Sequence, residues 1–144
     1  MAFVLGRKKV KDTQDFESFA YGISYPVQNG PTGFFEQNFS SFDQARSNLL
    51  NLLQTQKGER IMQPDFGTGL HGLLFEQMDD EELSVAIQNT ITENVNYWLP
   101  YISIRDIDVV MTDELKDRNQ ANLKITFTVG DEIELGEITF TVNG

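Results

Sequence analysis

The chain has 144 residues, which suits one domain with a single hydrophobic core. It contains no cysteine and only one histidine, His71, which excludes disulfides, thiolate nucleophiles and the usual catalytic zinc site. The formal net charge of -11 indicates an acidic body that repels phosphate backbones, so we expect no nucleic acid partner.

The positive charge is concentrated at the start of the chain. Four basic residues precede every acidic residue: Arg7, Lys8, Lys9 and Lys11. We therefore interpret residues 1–20 as a basic N-terminal arm and residues 21–144 as the folded domain. Apolar residues precede the basic cluster, the reverse of a secretory signal, and the apolar runs are short. We expect synthesis in the cytosol and no membrane partner.

A first helix is predicted from Phe42 to Gln56. Ser41 and Gln44 have the spacing of a capping box at its start. Apolar residues then recur on one helical face: Phe42, Ala45, Leu49, Leu52 and Leu53. Gly58 follows at the position of a left-handed C-terminal cap.

The segment KGERIMQPDFGTGL, residues 57–70, joins this helix to the next helical pattern. Glu59 and Arg60 diverge after a helix cap, so each needs a partner elsewhere in the fold or on another chain. Clamping of the loop within the fold and recognition of another protein both remain open for this pair. Gly67 to Gly69 is a poor phosphate loop, because we predict no strand before it and no helix immediately after it.

A second amphipathic helix is predicted between the acidic run Asp79 to Glu82 and Pro100. Its apolar residues recur every four positions: Leu83, Ile87, Ile91, Val95 and Leu99. Negative charge at a helix start complements the helix dipole, so we interpret the acidic run as a solvated helix start rather than a calcium site. We expect neither a metal nor a cofactor in this protein.

After Pro100 the apolar period changes to two, which predicts three antiparallel strands. A phase change at Arg105-Asp106 indicates a bulge in the first strand, and Leu123 to Val129 form the second. Gly130-Asp131 is predicted to be a tight hairpin turn, with a further phase break at Gly136. The predicted fold class is α+β, with a C-terminal antiparallel β-meander packed against two amphipathic helices in a single domain.

The last strand is expected to have an open edge, because no later segment remains to pair with it. Glu132, Glu134 and Glu137 are charges of the kind that protect an edge from indiscriminate pairing. The same edge can accept a specific partner strand. The residues that we expect to contribute to this contact are Ile133, Leu135, Ile138, Phe140 and Val142.

Paired carboxylates are the one catalytic chemistry that the sequence leaves open. Glu59 with Asp65, or Glu59 with Glu76, would be the acid pair of a glycosidase. Coincidental pairs are abundant among 22 acidic residues, so this pattern is weak. We expect His71 to cap or pack its turn rather than to act as a base.

The spacing of the central motif resembles that of a known family. Its core is Gly58-Glu59-Arg60 with Pro64-Asp65-Phe66-Gly67 and Leu70, and the similarity extends from Gly22 to Val142. The sequence resembles the baseplate wedge family of contractile phage tails, which is often named lysozyme-like and includes the baseplate component of type VI secretion.

The resemblance implies a structural protein, not an enzyme, located in the virion tail baseplate and assembled in the host cytoplasm. It implies six copies per ring, docking onto baseplate wedge core proteins through Glu59 and Arg60, with Pro64 and Phe66 in the same motif. It also implies that the tail sheath protein polymerises from this chain by β-strand addition. The alternatives are a peptidoglycan-degrading glycosidase and a soluble regulatory module that binds through the same sheet edge.

Overall fold

A computed structural model of the chain describes residues 19–30, 33–76, 78–130 and 134–143. Its elements are β1 (Gly22–Ile23), β2 (Gln37–Asn38), α1 (Ser41–Gln54), α2 (Leu70–Leu73), α3 (Asp80–Trp98), β3 (Ile102–Val110), α4 (Asp113–Asp117), β4 (Gln120–Val129) and β5 (Gly136–Asn143). Contacts divide the chain into two compact units, 1–47 and 48–144. Residues 1–18 of the predicted arm lie outside the described residues, so the arm and its boundary stay predictions.

The first unit is built on a short ribbon, in which β1 and β2 pair antiparallel. Asn38 is buried, and its amide donates hydrogen bonds to Ser47 Oγ at 2.9 Å and to Gln44 Oε1 at 3.0 Å, while the amide nitrogen also lies 3.4 Å from the carbonyl oxygen of Ile23. A buried amide without partners would be costly, so these bonds fix the ribbon against the first turns of α1.

Helix α1 begins one residue earlier than predicted, and the predicted capping box is wrong. Ser40, not Ser41, caps the helix, since the backbone N–H of Asp43 donates to Ser40 Oγ at 3.3 Å. The side chain of Gln44 instead accepts a hydrogen bond from Asn38. The helix ends at Gln54, and Gly58 has the predicted left-handed conformation with φ +88°.

Helix α3 matches the predicted second helix, and α2 was missed. Ile87, Ile91 and Val95 are buried on one face of α3, which ends just before Pro100. The prediction that no helix follows Gly67 to Gly69 was wrong, because α2 begins at the next residue. A four-residue helix is too short to show a repeating apolar face. No described helix is long and apolar enough to cross a membrane.

The C-terminal sheet has the order β3-β4-β5 and both pairs are antiparallel, which confirms the predicted α+β meander. Its register shifts between Ile104 and Asp106, where the bulge was expected. One face of the sheet is buried, and the core residues of β4 and β5 on this face are Ala121, Leu123, Ile125, Phe127, Ile138, Phe140 and Val142. Helix α3 packs against β3.

The connection from β4 to β5 is longer than the predicted two-residue turn. Gly130 has φ +56°, but β5 begins only at Gly136, which pairs with Phe127. Leu135 therefore precedes the strand and is exposed, while Ile133 lies outside the described residues. The predicted phase break at Gly136 marks the true start of the strand.

Candidate protein-docking site

The loop of residues 57–69 is tied to the C-terminal end of α1. Thr68 is buried, its Oγ1 donates to the carbonyl of Leu53 at 3.0 Å, and its N–H donates to the carbonyl of Thr55 at 2.9 Å. The N–H of Gly58 donates to the carbonyl of Pro64 at 2.7 Å and closes the loop on itself. Carbonyls that α1 cannot satisfy internally thus gain partners from the loop.

Gly67 allows this close approach. Its φ is +117°, and a Cβ placed on it would lie 2.4 Å from the carbonyl oxygen of Thr55. No L side chain fits there without moving backbone. Gly69, two residues later, has open space where its Cβ would lie. The Gly-Thr-Gly run therefore serves backbone packing, and only its first glycine is required for that purpose.

Arg60 is held by contacts within the fold. Its Nη2 donates to Asn51 Oδ1 on α1 at 3.2 Å, and its guanidinium carbon lies 3.9 Å from the centroid of the Phe66 ring. Phe66 in turn meets Trp98 of α3 edge to face, with ring centroids 5.2 Å apart. This geometry supplies the internal-clamp role that the sequence left open for Arg60.

Glu59 and Arg60 are not brought together. Glu59 is exposed, and its Oε2 accepts a hydrogen bond from the backbone N–H of Gln56 at 3.1 Å. Among the described residues, no ion pair joins the Glu59 carboxylate to the Arg60 guanidinium. The Glu59 carboxylate caps the backbone N–H of Gln56, whereas the Arg60 side chain reaches Asn51 on α1.

The tip of the loop presents apolar side chains that sequence reasoning missed. Ile61 is 96% exposed and Met62 is 91% exposed, although both are large and hydrophobic. Tyr97, which packs against Trp98 with ring centroids 5.0 Å apart, is 77% exposed. Exposed apolar side chains on a fixed loop are typical of protein contact surfaces. The sequence signal for this surface was the pair Ile61-Met62, two large apolar residues in a loop shortly before Pro64.

The carboxylates considered for glycosidase chemistry lie at the protein surface. Glu59, Asp65 and Glu76 are all exposed. Two grooves of the described structure lie along the start of α3, lined by residues between Met78 and Asn89. No group of three or more potential metal-ligating residues occurs in the described part of the chain. This arrangement gives no support to a glycosidase acid pair.

The residues of β5 that direct their backbone groups away from β4 can be identified from the direction of the backbone groups of β4. The N–H of Gly130 donates to the carbonyl of Tyr101 at 2.8 Å, one position beyond the pair Ile102↔Val129. Successive residues of an antiparallel strand point their backbone groups to alternate sides. Even-numbered residues of β4 therefore face β3, and odd-numbered residues face β5.

The same alternation assigns the backbone groups of β5. Gly136, Ile138, Phe140 and Val142 pair with the odd-numbered residues of β4 and use their N–H and C=O groups there. The intervening residues direct theirs away from β4, and they are Glu137, Thr139, Thr141 and Asn143. Within the described residues, no strand pairs with β5 on this side.

Side chains on the exposed face hold β5 in register. Lys124 Nζ lies 3.2 Å from Glu137 Oε1, and Thr141 Oγ1 donates to Asn122 Oδ1 at 2.7 Å. The predicted contact residues Ile138, Phe140 and Val142 lie in the core. The parts of β5 that a partner can reach are therefore its outward backbone groups and its polar side chains.

The outer edge of β3 is more occupied than that of β5. The carbonyl of Ile107 accepts a hydrogen bond from Gln88 Nε2 at 3.0 Å, and the N–H of Ile102 donates to the carbonyl of Leu99 at 2.9 Å. Both partners belong to α3 or to its C-terminal end. On β5, the outward carbonyl of Asn143 contacts His71 Nδ1. The more open edge is therefore that of β5.

Comparisons with known proteins agree with this fold. The family model described as "Baseplate wedge protein gp25" matches residues 42–133. A candidate tail lysozyme from Geobacter sulfurreducens has a similar crystal structure, with a TM-score of 0.62 and 22% identity, over 72% of this chain and 91% of that chain. A chain in the baseplate of the anti-feeding prophage has a TM-score of 0.62 and 23% identity, over 78% of this chain and 86% of that one. A search of the curated proteins finds no match.

Identities this low establish a shared fold, whereas the family match spans more than half of the chain. The chain therefore belongs to the family of baseplate wedge proteins. It is a baseplate wedge component of contractile tail systems.

Proposed function

We propose that this chain docks onto the wedge core proteins through its 57–69 loop and templates the tail sheath by accepting a partner strand on β5. Six copies, one per wedge, would arrange six such edges in a ring. The observation that carries the proposal is the outward edge of β5, which no described strand covers. The family provides the setting, since the chain is a baseplate wedge protein.

Backbone pairing suits a template, because it is directional and independent of the partner's sequence. Glu137, Thr139 and Thr141 each direct one N–H and one C=O outward. At about 0.5–1.5 kcal/mol net per hydrogen bond, a partner strand would gain a few kcal/mol per copy. Six copies acting on one assembling ring would add their contributions.

The docking part of the proposal rests on the 57–69 loop. Thr68 and Arg60 fix the loop to α1, and the tip then displays Ile61 and Met62 to solvent. A preformed apolar tip loses little conformational entropy when it is buried by a partner. Glu59, Arg60, Pro64 and Phe66 shape this loop, and we propose that they act in docking by holding its tip.

Thr139→Pro tests the templating proposal. Proline removes the outward N–H of Thr139 and obstructs pairing on that side, and it is tolerated at edge strands whose N–H faces solvent. Thr139→Val is the matched control, since it keeps the N–H and the β-branched shape. Both variants would be introduced into the gene that encodes this chain, and the assembled particles would be imaged by electron microscopy.

We expect Thr139→Pro baseplates that contain the variant chain but lack a sheath, and Thr139→Val particles with sheaths of normal length. Ile138→Pro would remove a backbone hydrogen bond to β4 and place a poorly fitting side chain in the core. It should therefore lower the midpoint of thermal unfolding, whereas Thr139→Pro should lower it much less. Normal sheaths on Thr139→Pro baseplates would overturn the proposal.

A further inference from the structure

The C-terminal end of the β5 edge is closed by a side chain from α2. His71 Nδ1 contacts the carbonyl oxygen of Asn143, and since that oxygen only accepts, Nδ1 carries the proton. Asn143 is one of the residues whose backbone groups point away from β4. The imidazole therefore occupies the position in which the N–H of an added strand would lie.

The contact is supported from both sides. Helix α2 follows directly on Gly69, and the buried residues Thr68 and Leu70 anchor it at its start. On the strand side, Gln120 Nε2 donates to Asn143 Oδ1 at 2.8 Å and holds the end of β5 against β4. His71 is thus placed at the edge by the same loop that forms the docking surface.

We propose that His71 is a stop that ends the acceptor edge of β5 at Thr141. The partner strand then pairs with the outward groups of Glu137, Thr139 and Thr141 and does not reach Asn143. This inference rests on the proposed templating function and assigns the extent of its site. His71 is a specificity-determining residue for that contact, because it limits which registers of the partner are allowed.

The stop has a consequence for length and register. Residues 137–141 span five positions, or about 17 Å at roughly 3.4 Å per residue in an antiparallel strand. A partner strand displaced by two residues toward the C-terminus would need the carbonyl of Asn143. His71 removes that alternative and limits the accepted segment at the C-terminal end of the edge.

Residue-resolved amide hydrogen exchange on the full chain tests the stop. The probe is the soluble sheath protein of the same particle, added in excess to the wild-type chain. We expect at least tenfold slower exchange at the amides of Glu137, Thr139 and Thr141 and no change at Asn143. In His71→Ala, slowing should extend to Asn143. His71→Gln supplies another side-chain donor and should behave as wild type.

Slowing at Asn143 equal to that at Thr141 in the wild type would overturn the stop while leaving the proposed function intact. Absence of slowing at Asn143 in His71→Ala would also overturn it. No slowing at any of the four amides would instead overturn the proposed templating function, and the stop with it. The wild-type measurement needs no variant, so a folding defect in His71→Ala leaves the test decisive.

Discussion

Arg60 lies over Phe66, with the guanidinium carbon 3.9 Å from the centre of the ring, while the same guanidinium donates to Asn51 at 3.2 Å. A planar cation can stack on a ring and hydrogen-bond at its rim at the same time, which an ammonium group cannot do equally well. Arg60 thereby joins the 57–69 loop to α1, and Phe66 joins it to α3 through Trp98. The internal contacts of Arg60 hold the 57–69 loop in the shape that we propose for docking.

Arg60→Ala should lower the free energy of unfolding by about 1–2 kcal/mol, because it removes a charged hydrogen bond and a partly exposed cation–π contact. The domain should stay folded, and incorporation into the baseplate should fall. Urea denaturation and the amount of chain in purified baseplates measure the two effects. Arg60→Lys keeps the charge and should retain only part of the wild-type stability and part of the incorporation into the baseplate. Unchanged stability in Arg60→Ala would contradict the clamp.

Gly67→Ala should destabilise the protein by roughly 2–4 kcal/mol, since both the left-handed φ and the contact with the Thr55 carbonyl oppose a Cβ. Gly69→Ala is the matched control, because a Cβ there meets open space, and it should change stability by less than about 0.5 kcal/mol. Thermal unfolding compares the two variants. Equal effects would mean that the loop does not depend on the close approach at Gly67.

The regular helices and strands could be predicted from the sequence, whereas the contacts around Arg60 and Gly67 could not. Repeating apolar positions predicted α1, α3 and the three-stranded sheet, because burial of one face determines each of them. Helices α2 and α4 have four and five residues, too few to repeat. Arg60 and Phe66 contact Asn51 on α1 and Trp98 on α3, and periodicity carries no information about such contacts.

The candidate edge was predictable only in part. The open edge was predicted for the last of the three strands, but the side chains expected to contact the partner there, Ile138, Phe140 and Val142, are in the core. The preference for β5 over β3 depends on the Gln88 hydrogen bond to Ile107, which joins residues 19 positions apart. The contact between His71 and Asn143 joins residues 72 positions apart. Such relationships arise from tertiary packing.

Replacing both Ile61 and Met62 by Asp should abolish incorporation into the baseplate without lowering the stability of the free chain, because both side chains are solvated in the free protein. Val85→Asp is the control, an exposed apolar residue on α3 outside the loop. Purified baseplates would be probed for each variant. Normal incorporation of the double variant would show that the tip is not the docking surface.

Lys116→Gln tests the link between α4 and α3. The hydrogen bond with Asp80 raises the pKa of Lys116 above 10.5, and nearby Asp113 acts in the same direction. Because the pKa of Lys116 is higher in the folded protein than in the unfolded chain, the charged lysine stabilises the folded state below pH 10.5. This stabilisation is lost as the pH rises through the folded-state pKa of Lys116.

The stability difference between wild type and Lys116→Gln should therefore be constant near neutral pH and shrink above pH 10.5. Added salt should reduce it, since both groups are exposed. Lys57→Gln controls for the change in net charge. A difference that persists at high pH would contradict an electrostatic origin.

The proposed templating requires that the outward edge of β5 receives a strand from the sheath. A cryo-electron microscopy reconstruction of the particle baseplate with its first sheath ring tests this most directly. We predict an additional strand beside β5, on the side opposite β4, paired with Glu137, Thr139 and Thr141. A sheath strand beside β3, or a first sheath ring that makes no backbone pairing with this sheet, would overturn the proposed templating by β5.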